Sequence, residues 1–269
     1  MVDHVGVRVK PTALVGIAIW LLYVAIVVIM QKTSGIPYTE FGDSTGNMWR
    51  GVIPSLLVGS LVIAALAAWM RWWGAAMRDQ HRTRVGWTLI APGIFLLIAL
   101  GNFAFTDWGN ISAGYLLVAL ALGILVGFAE EIVCRGMLLV GLRGTFHEVA
   151  VWALTCVLFG FMHGVNIFLG ASAGPTAVQV IAAALQGSAF YILRRYYGTL
   201  LWAMALHGLW DMSIFVQTQS DGPVNLLTVL IWPTSILAAI AGFVVARRTA
   251  LGPVEDYARG PQETTPAAT

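Results

Sequence analysis

The sequence predicts an all-α, polytopic membrane bundle, and three observations carry that prediction. The chain of 269 residues is 58% hydrophobic and only 10% charged, where a soluble domain carries about 25% charged residues. Its mean hydropathy is +0.80. Its apolar residues also fall into runs of about 20, the length that crosses the hydrocarbon of a bilayer.

Eight segments meet that length, over residues 13–31, 51–71, 87–106, 112–140, 147–168, 174–193, 198–217 and 224–246. The first has a basic flank but no small-residue cleavage site after "VAIVVIM", so it is expected to be retained as a helix. The fourth is long enough to tilt or project. Short loops join the segments, and no internal repeat or second folded domain is evident. The chain divides into three leading spans (1–110), a core (111–217), a last span (218–248) and a polar, proline-rich tail (249–269) expected to be disordered.

Thirteen of the fifteen basic residues flank the spans on alternate sides, and only Lys32 and Arg50 fall on the other. Basic loops stay cytoplasmic, so both termini are expected there, consistent with an even number of spans. Trp49, Trp69, Trp72, Trp73, Trp87 and Trp108 gather near span ends, as interfacial anchors do. The net charge of +2 reflects this topology and gives no case for nucleic acid. Cys134 and Cys156 lie within spans, where a small apolar role is expected.

Chemistry should reside in the ionisable residues inside apolar runs, since each costs about 2.5–3.5 kcal/mol at the centre of a spanning helix. In "GFAEEIVCRGMLLVG", Glu131 and Arg135 are four apart and can pair on one face. Glu130 is turned about 100° away, without a local counter-ion, as suits a general base. His163 closes "FGFMH". In "WAMALHGLWD", His207 and Asp211 share a face, where the carboxylate could fix the imidazole tautomer or both could bind a metal. Gly123 with Gly127, and Gly160 with Gly164, have the spacing that lets helices approach closely. Two motifs are misleading. "HEVAV" at 147–151 lacks the second histidine of a zincin site, and "GASAG" at 170–174 has no strand leading to Ser172.

Three motifs in order, each on its own span, give the chain a family resemblance: "EEIVCR" for E-E-x-x-x-R, "FGFMH" for F-x-x-x-H and "HGLWD" for H-x-x-x-N/D. Over roughly residues 115–217 the chain resembles the CPBP intramembrane proteases, which include CAAX prenyl endopeptidases and bacteriocin-processing or self-immunity proteins. The resemblance implies an endopeptidase in which Glu130 and His163 activate water while His207 and Asp211 stabilise the oxyanion. Glu131, Arg135 and Phe159 would then be supporting residues. Asp211 stands where an asparagine would be the natural amide donor to the oxyanion; an ionised carboxylate cannot donate a hydrogen bond. Glu130, His163, His207 and Asp211 would also suit a divalent metal such as zinc. The family has been described both with and without a metal, and no obligatory metal is expected.

The expected partners are a peptide or protein substrate and the lipid bilayer, the expected site is the bacterial cytoplasmic membrane, and cleavage is expected near its cytoplasmic half. The reading from another class is a non-proteolytic scaffold or bacteriocin self-immunity protein.

Overall fold

A computed structural model describes residues 6–250, so most of the expected disordered tail lies outside the described residues. Among the described residues the elements are helical and no strand forms. Seven helices among these residues are long and apolar enough to cross a membrane. They are α1 (Ala13–Thr33), α2 (Thr45–Trp69), α3 (Gly86–Ala104), α4 (Ala113–Arg143), α5 (Glu148–Leu169), α6 (Ala173–Tyr197) and, last in the chain, α8 (Leu226–Ala250). The chain is thus an integral, multi-pass membrane protein.

The eighth expected span, 198–217, is present as α7 (Leu201–Thr218) but is not among those seven. The physical reason is composition: His207, Asp211 and Gln217 lower the hydropathy of an 18-residue helix. Those residues are tolerable because α7 packs against α3, α4 and α6 inside the bundle.

Helix ends follow local chemistry. Thr12 and Ser112 accept hydrogen bonds from the amides of Val15 and Tyr115 and start α1 and α4. Gly198, at φ +72°, stops α6 in a left-handed conformation that glycine adopts without steric cost. Five of the six tryptophans read as anchors are well exposed. Trp72 is instead fully buried, and its Nε1 donates to the carbonyl of Val9 at 2.7 Å.

Absent side chains set the closest helix contact. A Cβ at Gly123 would come within 2.6 Å of the Gly208 carbonyl oxygen, and one at Gly127 would clash with that of Met204. The backbones of α4 and α7 therefore touch, which brings His207 up to Glu130 and Glu131. Gly160 faces Val180 and Ala184 of α6 in the same way, whereas Gly164 meets only ordinary contact. A further crossing, Gly141 against Gly16, joins α4 to α1.

The end of the bundle where α4 and α6 finish is closed by buried charge. Asp79 Oδ1 meets Arg143 Nη1 and Arg194 Nη2, both at 2.8 Å, and its Oδ2 meets Arg195 Nη1 at 2.7 Å. Arg143 also holds Glu148 through Nη2 at 2.6 Å and Nε at 2.8 Å. Arg194 donates to the carbonyls of Ala75, Ala76 and Arg135. Burial pushes the Asp79 carboxyl up, but the three guanidinium groups outweigh it and hold the group well below the usual range. Arg194 and Arg195, read from sequence as flanking charges, are core residues in the last turn of α6.

Candidate active site

Directly after Glu131, α4 changes to a π-helical segment, Ile132–Leu138. Such segments are rare and occur often at functional sites; the sequence pattern alone reads as one continuous helix. The Glu131–Arg135 pair forms as expected, with Arg135 Nη1 at 2.8 Å from Glu131 Oε1 and both side chains fully buried. Gly187 of α6 leaves space for that guanidinium, since a Cβ there would strike Arg135 Nη2. The cation also lies 4.0 Å from the Phe159 ring centroid and 5.2 Å from that of Phe190.

The same Glu131 oxygen lies 2.9 Å from His207 Nδ1. A carboxylate only accepts, so Nδ1 is the protonated nitrogen and Nε2 is left for chemistry. Glu131 therefore fixes the tautomer, a task the sequence pattern offered to Asp211. Asp211 Oδ2 is 4.0 Å from Nε2, beyond hydrogen-bond distance, and Glu130 Oε2 is 3.8 Å from the same nitrogen. Phe190 stacks on the His207 ring at 4.6 Å, and Phe159 meets it edge-on at 5.5 Å.

His163 lies at the end of the helical run Glu148–His163 with Nδ1 2.9 Å from the Phe159 carbonyl. The carbonyl accepts, so Nδ1 carries the proton and Nε2 of the neutral ring keeps its lone pair. Phe159 thus touches Arg135, His163 and His207 and holds all three in place.

Glu130, His163 and Asp211 line one cavity of about 210 Å³. The side chains of Glu130 and Asp211 are 17% and 26% exposed, against none for Glu131. The adjacent glutamates therefore differ in kind: one is locked in an ion pair, while the other faces the cavity. Glu130 Oε2 is buried with no hydrogen-bond partner among the described residues. So is the hydroxyl of Tyr23 on α1, which lines the same cavity. A Cβ at Gly59 would come within 2.8 Å of the Tyr23 ring, so that glycine provides its niche. Tyr23 and Phe190 escaped sequence reasoning because an aromatic residue in an apolar run looks like lipid-facing or core packing.

Among the described residues no three His, Cys, Asp or Glu side chains form a group able to hold a metal. The Nδ1 bonds of His163 and His207 leave both Nε2 atoms available, so it is the placement of Glu130, His163, His207 and Asp211, not their donor chemistry, that does not fit zinc in this arrangement. His147 caps α5 by accepting from the Ala150 amide, and Ser172 precedes α6 with no strand before it. Neither belongs to the site. Cys134 and Cys156 are buried free thiols.

No curated protein matches the chain. Residues 111–213 match the family described as type II CAAX prenyl endopeptidase Rce1-like. That segment spans α4 to α7 and contains all three motifs, and the match supports the CPBP/CAAX protease family for this chain, as the motifs implied.

Proposed function

We propose that the chain is an intramembrane endopeptidase that hydrolyses a peptide bond with water activated by Glu130. The observation that carries this reading is Glu130 itself: its Oε2 has no hydrogen-bond partner among the described residues and it lines a cavity with His163 and Asp211, while its neighbour Glu131 lies outside that lining with Oε1 held by both Arg135 and His207. The family match supports a protease in general terms.

Glu130 accepts a proton as the water oxygen bonds to the scissile carbonyl carbon, and His163 Nε2 orients that water by accepting its other hydrogen. The carbonyl becomes a tetrahedral oxyanion, met by His207 donating from Nε2 when that nitrogen is protonated and by the Tyr23 hydroxyl. The C–N bond then breaks, and the proton held by Glu130 passes to the leaving nitrogen. Preorganised donors of this kind each contribute about 10²–10³ in rate. Asp211 stays within reach of Nε2 and supports its charge. Glu131, Arg135, Phe159 and Phe190 position the imidazole without touching substrate.

The purified protein in detergent, incubated with a peptide library and read by mass spectrometry, should yield discrete products. The His163→Asn variant should lose them while keeping its elution profile. A folded wild-type protein that cleaves nothing across the library would favour the scaffold or immunity reading.

A further inference from the structure

The cavity has a direction. Its lining includes Gln31 near the end of α1, Tyr38 in the loop that follows, and Phe41. Asn166 comes from just past the α-helical part of α5, Gln179 from the start of α6 and Phe215 from the last turns of α7. Helix by helix, all six lie towards one end of the bundle. The inner end is Glu130 and Tyr23. Beyond it, residues 132–142 are buried throughout, and the Asp79–Arg143–Arg194–Arg195 cluster fills the bundle where α4 and α6 finish. The path from Glu130 is thus sealed at that end and leads to the other.

The two ends differ in charge. The sealed end carries Arg71, Arg78, Arg82, Arg84, Arg143, Arg194, Arg195, Arg247 and Arg248, while Lys32 and Arg50 lie at the end the cavity approaches. Basic residues beside spans are retained in the cytoplasm. We infer that the cavity takes its substrate from the non-cytoplasmic face, so that the peptide cleaved is a segment exposed on that side. This differs from the expectation of cleavage near the cytoplasmic half, and it rests on the endopeptidase reading.

The mouth also limits the substrate's character. Asn166 donates to Gln179 at 3.0 Å, and Gln179 donates to the Tyr38 hydroxyl at 2.9 Å, leaving the tyrosine proton free to meet a peptide carbonyl. Val27, Phe41, Met162 and Phe215 supply apolar wall, and the lining holds two carboxylates but no lysine or arginine. An uncharged or basic peptide with apolar side chains fits this surface, and an acidic one would be repelled.

The test uses membrane vesicles from the expressing cell, right-side-out and inverted, with the full-length protein. A quenched fluorescent peptide of neutral apolar sequence should be cleaved at least tenfold faster by right-side-out vesicles than by inverted ones. Faster cleavage by inverted vesicles overturns the inference. Detergent-solubilised protein separates the two claims: no cleavage there refutes the endopeptidase reading. Sidedness is then read without catalysis, from the Tyr38→Cys variant and a membrane-impermeant thiol reagent. Labelling confined to right-side-out vesicles supports entry from outside, and labelling from inverted vesicles, or from neither side, contradicts it.

Discussion

At the scale of single residues, the two adjacent glutamates should respond oppositely to the same change. Glu131→Gln leaves the Arg135 guanidinium buried without its carboxylate, a loss of about 3–5 kcal/mol, measurable as a large fall in the thermal midpoint. Glu130→Gln removes a charge that has no hydrogen-bond partner at Oε2 among the described residues, so the midpoint should hold or rise. Tyr23→Phe removes a hydroxyl without a partner. Its fold should be intact, with turnover down about 10²-fold and KM little changed, as expected for a donor engaged only in the transition state. An unchanged turnover would remove Tyr23 from the site. The Glu131–Arg135 pair and the separate character of Glu130 were legible in sequence, because i, i+4 spacing is a local property. The bond from Glu131 to His207 was not, since it spans 76 residues.

At the scale of elements, glycine contacts do what the small-residue spacing suggested for α4 and α7, and only half of it for α5. Gly208→Ala would drive a Cβ into the Gly123 carbonyl. Forced separation of packed backbones costs about 1–3 kcal/mol. Because His207 is the adjacent residue, activity should fall with stability, read from cleavage and thermal melts of the same preparation. The π-helical segment at Ile132–Leu138 left no trace in the hydropathy of the run. A π turn depends on how α4 packs against α1 and its neighbours, which one helix's own pattern does not encode. The polarity of α7 had the opposite fate: its odd residues were visible at once, and they are what keeps it out of the apolar set.

At the scale of the whole molecule, the bundle joins a charge-sealed end to a cavity-bearing one. The sealed end should be acid-sensitive. The folded Asp79 carboxyl lies below its ordinary value, which is about 3.9 unfolded. Its stabilisation is therefore complete above about pH 4 and is lost as pH falls below that towards the folded value. Asp79→Asn should flatten this part of a stability-against-pH curve and lower stability at pH 7. All-α architecture and membrane residence were plain from composition. The direction of the cavity was not, because it depends on which helix faces point inward, and hydropathy records only that a segment is apolar.

If Glu130 activates water in this cavity, its carboxylate is required for cleavage and not for folding. Wild-type and Glu130→Gln proteins, matched for folding by thermal midpoint, are assayed on the same cleaved peptide. Glu130→Gln should lose at least 10²-fold in rate, the lower range for removing a general base. Cleavage by Glu130→Gln at the wild-type rate would contradict that role.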